Sequence, residues 1–201
     1  AKAIADMGVT FRFNTEVGKD VTIEKIEAEN DAVFLDTGAW KQPLLGIDGE
    51  NLTQFGLNFL VDVNKFMSKQ IGKNVLVCGG GNVAMDVALT AVRLGAEKVT
   101  MVCLEQRDEM PASKEEIARA IEEGVDIING RGLFKVSYEG DKVVGMETNR
   151  CVSLRDENHR FNPKYDNSDL RLLKADSIIL ATGQRVDLDF LGDKFKDEIK
   201  S

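Results

Sequence analysis

The run VLVCGGGNVAMDVALTAVRLGA, residues 75–96, places three consecutive glycines between a short apolar stretch and a segment with helical periodicity. A brief, continuous apolar run followed at once by glycine reads as a parallel strand, covered on both faces, that has to turn sharply. Helical spacing follows at Val83, Val87, Ala91 and Leu94, and Gly95 closes it as a C-cap. Gly79, Gly81 and Ala84 fill the three small-residue positions of the pattern G-x-G-x-x-G/A. In a dinucleotide site the first permits the tight turn, the second lets backbone approach a pyrophosphate, and the third packs helix on strand. The phosphates then meet the helix N-terminus, where unpaired N–H groups and the helix dipole favour negative charge. Gly80, Asn82 and Val83 complete the loop, Asn82 as a source of polar contacts to the pyrophosphate. A glycine turn serving packing alone is the alternative, and the flanking elements weigh against it.

Those elements repeat. KNVLVC at 73–78 and KVTMVCL at 98–104 read as strands on either side of the first helix. SKEEIARAIEE at 113–123 predicts a second helix, with Ser113 as N-cap, Glu116 completing a capping box and Gly124 past the end. Residues 125–128 form a short third strand. Strands alternating with helices argue for parallel crossovers in a Rossmann-like α/β sheet. Residues 132–156 then alternate with period two around Glu139, Gly140 and Asp141, which predicts an antiparallel hairpin. Residues 155–171 read as a polar loop carrying Pro163, and ADSIILATG at 175–183 as another apolar strand ending in a small-residue turn. DAVFLDTG at 31–38 is built alike and predicts a strand of a second, incomplete module.

The 201 residues, 43% hydrophobic and 30% charged, suffice for one domain, or one domain plus a fragment. A formal charge of -8 argues against nucleic-acid or anionic-membrane partners, which need clustered Lys and Arg. No apolar run nears the ~20 residues of a membrane span, and the N-terminus carries no signal core, so the expected location is the cytoplasm. Cys78, Cys103 and Cys151 form no CxxC; the first two sit at the ends of apolar runs, as small hydrophobes do. His159, the single histidine, lies in a polar stretch and reads as solvated, so metal sites and a Ser/His/Asp triad lack support.

At the end of the second strand, Glu105 follows Ala84 by 21 positions. An acid at about that spacing hydrogen-bonds the adenosine ribose and repels a 2′-phosphate, which favours NAD(H) over NADP(H). Arg107 opposes this: it either reaches a 2′-phosphate or pairs with Glu105 or Asp108 at the surface, an interaction worth little.

GGGNVAMD at 79–86, MPAS at 110–113, EEGV at 122–125 and ILATGQ at 179–184 together resemble the NAD(P)H-binding domain of the glutamate synthase small-subunit family. These are FAD-containing pyridine-nucleotide oxidoreductases related to the disulfide reductases. FNTEVGKD at 13–20 and DAVFLDTGAWKQPLLGIDGE at 31–50 are similar to the family's FAD-domain segment and its crossover, so the likeness covers nearly the whole chain. It implies a partial FAD-domain segment and crossover at 1–50, a Rossmann-like three-layer NAD(P)H domain with an antiparallel β-meander at 51–184, and a return towards the FAD domain at 185–201. It implies hydride transfer from nicotinamide C4 to flavin N5, with electrons passing to an Fe–S or glutamate-synthase-type partner. Asp86, read in the first helical turn, corresponds to an acid near the nicotinamide carboxamide in related reductases; a helix-dipole contact is its other reading. Thr182 and Gly183 would run along the nicotinamide side. No residue is assigned as a catalytic acid or base.

The chain departs from the family's pattern in two places. Similar NADPH-using members run from the second strand into Tyr-Arg-Arg, where this chain has Cys103, Leu104 and Glu105, in agreement with NAD. Asp36 stands where a small residue is common. The FAD fingerprint is expected upstream of residue 1 and the closing Gly-Asp motif beyond Ser201, so FAD is expected only in a full-length protein and this chain alone is expected to be inactive. A nucleotide-binding scaffold module without its own catalysis is the non-enzymatic alternative. Tyr138 and Lys142 have the YxxxK spacing of short-chain dehydrogenases, but Gly140 and Asp141 between them break the helix that spacing requires. An S-adenosylmethionine methyltransferase would explain the glycine loop but not the ATGQ strand end.

Overall fold

The computed structural model describes residues 1–66 and 71–192. Contacts divide the chain into two units, Ala1–Lys41 with Arg185–Ser201, and Gln42–Gln184. In the first, α1 (Lys2–Ala5) and α2 (Ile23–Ala28) are short, the latter capped by Thr22, whose hydroxyl accepts from the Lys25 N–H. Lys41 and Arg185 exchange two backbone hydrogen bonds of 3.0 and 2.9 Å. Residues 193–201, part of the segment expected to return towards a flavin domain, lie outside the described residues.

The second unit runs β1 (Gln54–Phe55), α3 (Gly56–Phe66), β2 (Asn74–Cys78), α4 (Asn82–Arg93), β3 (Lys98–Val102), α5 (Lys114–Glu122), β4 (Asp126–Ile128), β5 (Arg131–Glu139), β6 (Lys142–Arg155), β7 (Phe161–Lys174) and β8 (Ser177–Leu180). Five strands form one parallel sheet in the order β1-β8-β2-β3-β4, and β5, β6 and β7 form an antiparallel sheet. The α/β fold, its parallel crossovers and the meander are as expected.

The continuous apolar strands explain the layering. Val75, Val77, Val99, Met101 and Ile179 face α3, α4 and α5, packing with Phe59, Met85, Ala88 and Ile117. Their neighbours along the same strands, Leu76, Cys78, Val102, Ile178 and Leu180, face the other way onto Val136 and Met146 of the meander. A strand buried on both faces must be apolar along its buried length, and β2 is so from Val75 and β8 from Ile178, after an exposed Asn74 and a half-buried Ser177.

The helix ends follow the glycine rules. Gly95, at φ +91, passes its N–H to Val92 O while the Ala96 N–H reaches Ala91 O; Gly124 and Val125 repeat the pattern on Ile121 and Ala120. These paired bonds satisfy carbonyls that a helix C-terminus otherwise leaves open. At the meander's first turn Glu139 pairs with Lys142, and Gly140 takes the positive φ the two-residue connection needs. Tyr138 and Lys142 therefore sit across a hairpin rather than on a helical face. His159 lies exposed in the second turn, beside Asp156, whose carboxylate accepts from the Asn158 and Arg160 N–H groups.

Two expectations fail. The polar loop expected at 155–171 is mostly strand: from residue 161 onward it belongs to β7, paired with β6 from Lys174 opposite Gly145 to Phe161 opposite Arg155. Ladder bonds are made by backbone, so a polar sequence does not prevent pairing; β7 is an edge strand, where Pro163 and charged side chains are tolerated. Residues 31–38, expected to be a strand, have none assigned: Val33, Phe34 and Leu35 are exposed, and no backbone partner lies alongside among the described residues. No helix among the described residues is long and apolar enough to cross a membrane.

Pairing of β7 has a direct signature in amide hydrogen exchange. Within 161–174, amides facing β6 should exchange slowly and the outward-facing ones quickly, since only one side of an edge strand is bonded. Fast exchange along the whole segment would return it to a loop.

Candidate functional site

The strand order places a crevice. From β2 the chain moves outward through α4 to β3 and on to β4, then returns by way of β5–β7 to β8 on the other side of β2, so the strand order reverses at the β2–β8 boundary. Open parallel sheets bind ligands at the carboxyl ends of the strands at such a point. Here those ends carry Gly79–Gly81 after β2, Glu105 after β3 and Thr182–Gly183 after β8.

Each glycine of the loop is small for its own reason. Gly79 sits at φ +141, and a Cβ there would overlap the Ala181 carbonyl. Its N–H donates to Val102 O at 2.9 Å, which ties the loop to β3, and the Ala181 N–H donates to Cys78 O at 2.7 Å, which ties the turn after β8 to the end of β2. Ala84, fully buried, brings its methyl to 3.4 Å from the same Cβ position and lets α4 lie close against β2. A Cβ on Gly80 would lie 2.9 Å from Glu105 Oε2 and 3.1 Å from Cys103 Cβ. Gly81 differs from both: its φ of -93 suits any residue, and nothing lies within 4 Å of its Cβ position. No side chain caps α4 at Gly81. Unpaired N–H groups beside open space at a helix start fit the phosphates of a dinucleotide.

The MPAS segment braces this loop. Gly80 O accepts from the Ala112 N–H at 3.1 Å, and Asn82 Oδ1 accepts from the Ser113 N–H at 2.9 Å, over buried Met110 and Ala112. The predicted capping box is half formed: Ser113 Oγ accepts from the Glu116 N–H, but Asn82 takes the bond that Glu116 would have returned. Glu116 Oε2 is left buried without a hydrogen-bond partner among the described residues. Asn82 thus has its carboxamide oxygen committed to the protein. Asp86, read in the first turn, is the fifth residue of α4, which begins at Asn82 and has no acid in its first turn. It is exposed, and a dipole contact that fades beyond the first turn does not account for it.

Glu105 is half-buried against Gly80, while Arg107 is exposed in a single 3-10 turn, Arg107–Glu109, and makes no ion pair among the described residues. Thr182 and Gly183 are exposed past β8, Gly183 at φ +116 with open space over it. The three cysteines are free and buried. Burial, with the Glu105 charge second, pushes the Cys103 thiol up to about 12, and burial pushes Cys78 up as well. Both thiols stay protonated at neutral pH, which suits packing rather than nucleophilic chemistry. Sequence reasoning missed Ser113 as a brace for Asn82, along with Asn129 and Gly130, whose N–H groups reach the Glu105 carbonyl. No local pattern marks a contact between residues 24 apart.

The sequence profile of the family described as pyridine nucleotide-disulphide oxidoreductase matches residues 6–200. The NAD-dependent dihydropyrimidine dehydrogenase subunit PreT of Escherichia coli O157:H7 is 38% identical over 187 residues, which are 92% of this chain and 41% of that protein. The glutamate synthase [NADPH] small chain of Halomonas elongata is 35% identical, over 89% of this chain and 40% of that one. Among solved structures, FprA of Mycobacterium tuberculosis in complex with NADPH is similar with a TM-score of 0.73 and 15% identity, over 87% of this chain and 54% of that one. The chain spans about two fifths of the length of these two curated relatives.

Gly79 and Gly81 should separate when substituted. Gly81→Ala should leave unfolding in urea within about 0.5 kcal/mol of the parent, yet weaken dinucleotide binding about tenfold by calorimetric titration, a loss of about 1.4 kcal/mol. Gly79→Ala should lower stability and binding together. Unchanged binding in Gly81→Ala would remove the ligand from this loop.

Proposed function

The chain belongs to the pyridine nucleotide-disulphide oxidoreductase family, and from that premise we propose that Gln42–Gln184 is the nicotinamide-dinucleotide domain of a flavoprotein oxidoreductase resembling the glutamate synthase small subunit. Its role is to hold NAD(P)H so that reducing equivalents reach FAD and then a redox partner of the Fe–S or glutamate-synthase type. The observation that carries this reading is the open space over Gly81, beside the uncapped start of α4 and within the same loop that meets Glu105.

The residues divide the work by position. N–H groups around Gly81, Asn82 and Val83 hold the pyrophosphate, with Gly79, Gly80 and Ala84 giving the loop its shape. Asp86 orients the nicotinamide carboxamide, and Thr182 and Gly183 run beside that ring. When bound, the nicotinamide supplies a hydride, so this chain's part is placement and electrostatics rather than acid–base chemistry. Among the described residues of Ala1–Lys41 no strand, glycine loop and helix follow one another as they do at β2 and α4. On this reading FAD belongs to a longer protein of the kind the relatives represent, of which this chain spans about two fifths.

Glu105 supports NAD(H) over NADP(H), because a carboxylate accepts from the ribose hydroxyls and repels a 2′-phosphate. The names of the relatives divide on this point: PreT is called NAD-dependent, while the Halomonas protein carries NADPH in its name.

Calorimetric titration of the chain with NADH and with NADPH tests the assignment. NADH should bind more tightly, and Glu105→Ala should weaken it by tenfold or more, as expected for losing hydrogen bonds to a charged group, about 1.5–3 kcal/mol. NADPH affinity should hold or rise in the same variant. Tighter NADPH binding in the parent, abolished by Arg107→Ala, would reverse the preference.

A further inference from the structure

Glu105 stands beyond the end of β3 in a loop, and loops at strand ends move unless something ties them down. Its carbonyl oxygen accepts two hydrogen bonds from one short segment on the neighbouring strand's path: from Asn129 Nδ2 at 3.1 Å and from the Gly130 N–H at 3.1 Å. Asn129 Nδ2 also lies 3.3 Å from Cys103 Sγ, so one carboxamide spans both ends of the Cys103–Leu104–Glu105 step. Gly130 takes φ +68, the left-handed conformation in which its own N–H meets the same carbonyl.

The segment that supplies these bonds is itself fixed. On one side the Cys103 N–H donates to Ile128 O at 3.1 Å, and on the other the Arg131 N–H donates to Cys103 O at 2.9 Å. The Arg131 side chain, 4% exposed, is held by Thr148 Oγ1 at 3.2 Å, Thr148 O at 2.6 Å, and Asp169 Oδ1 and O, each at 2.9 Å. Asp169 comes from β7, so the meander is tied to the loop that carries Glu105. With the loop so held, the Glu105 carboxylate lies against Gly80, where a Cβ would meet it at 2.9 Å.

We propose that Asn129 is a positioning residue for dinucleotide selectivity: it aims the Glu105 carboxylate at the adenosine ribose without touching the ligand. This rests on the reading of Glu105 given above. The residue type fits the task, since an aspartate of the same shape has no N–H to give and an alanine does not reach.

A double-mutant cycle decides it, with calorimetric titration of the full 201-residue chain with NADH and NADPH, and thermal unfolding followed in parallel. Asn129→Ala should weaken NADH about tenfold and NADPH less than twofold, lowering the ratio of the two affinities while the thermal midpoint stays within a few degrees. Asn129→Asp, which keeps the shape and removes the donor, should do the same if the alanine variant folds poorly. In the Glu105→Ala background, removing Asn129 should change NADH affinity less than twofold, because nothing remains to be aimed. An effect of Asn129 that persists undiminished in that background, or Asn129 variants with parental selectivity while Glu105→Ala loses it, would overturn the proposal and leave the Glu105 reading standing. Parental NADH affinity in Glu105→Ala would overturn both.

Discussion

The approach of Gly79 to the Ala181 carbonyl sets the rest of the site. Two backbone segments from β2 and β8 touch where any side chain on Gly79 would collide; the Ala181 N–H bond to Cys78 O holds them together, and the Gly79 N–H bond to Val102 O anchors the loop to β3. Because the segments meet, α4 starts directly over the crevice between the strands, with its unpaired N–H groups at the carboxyl end of the central strand. Ala84 completes the arrangement from the helix side. The two positions serve packing first; their value to a ligand lies in where they leave Gly81.

Glycines in one loop thus answer to different forces. Gly79 is excluded from bearing a side chain by backbone, Gly80 by the carboxylate and thiol-bearing residues opposite, and Gly81 by nothing in the protein itself. A small residue with no internal reason to be small, next to donors with no capping side chain, points outward to something that binds. The brace from residues 110–113 has the same bearing: by engaging Gly80 O and Asn82 Oδ1, it turns acceptors of the loop towards the protein, as the proposed dinucleotide, itself rich in acceptors, would require.

The meander is more than a cover for the second face of the parallel sheet. Its inner face packs Val136 and Met146 onto Leu76, Cys78 and Leu180, burial that any apolar layer would provide. Its polar interior is specific: Arg131 is almost wholly buried and spends its donors on Thr148 and Asp169, bonds that leave little freedom to the turn before it. A buried guanidinium satisfied by two neighbouring strands fixes register as well as contact. That register runs on through Gly130 to Glu105.

How much was legible follows from the range of the forces. Strand β2, the glycine loop, helix α4 and its Gly95 ending depend on local rules of periodicity, φ and capping, so the sequence by itself determined them, and the double apolar faces of β2 and β8 announced a sheet covered on both sides. Strand β7 was not legible, because an edge strand is defined by a backbone partner rather than by its side chains, and Phe161–Lys174 reads as polar until β6 lies beside it. The same reason removed the strand expected at 31–38, whose apolar pattern has no partner alongside it among the described residues. Only tertiary structure decided that Asn82 would bond Ser113 in place of Glu116 and that Asn129 would hold Glu105. Those outcomes depend on distances between segments far apart in the chain, which no spacing along it encodes.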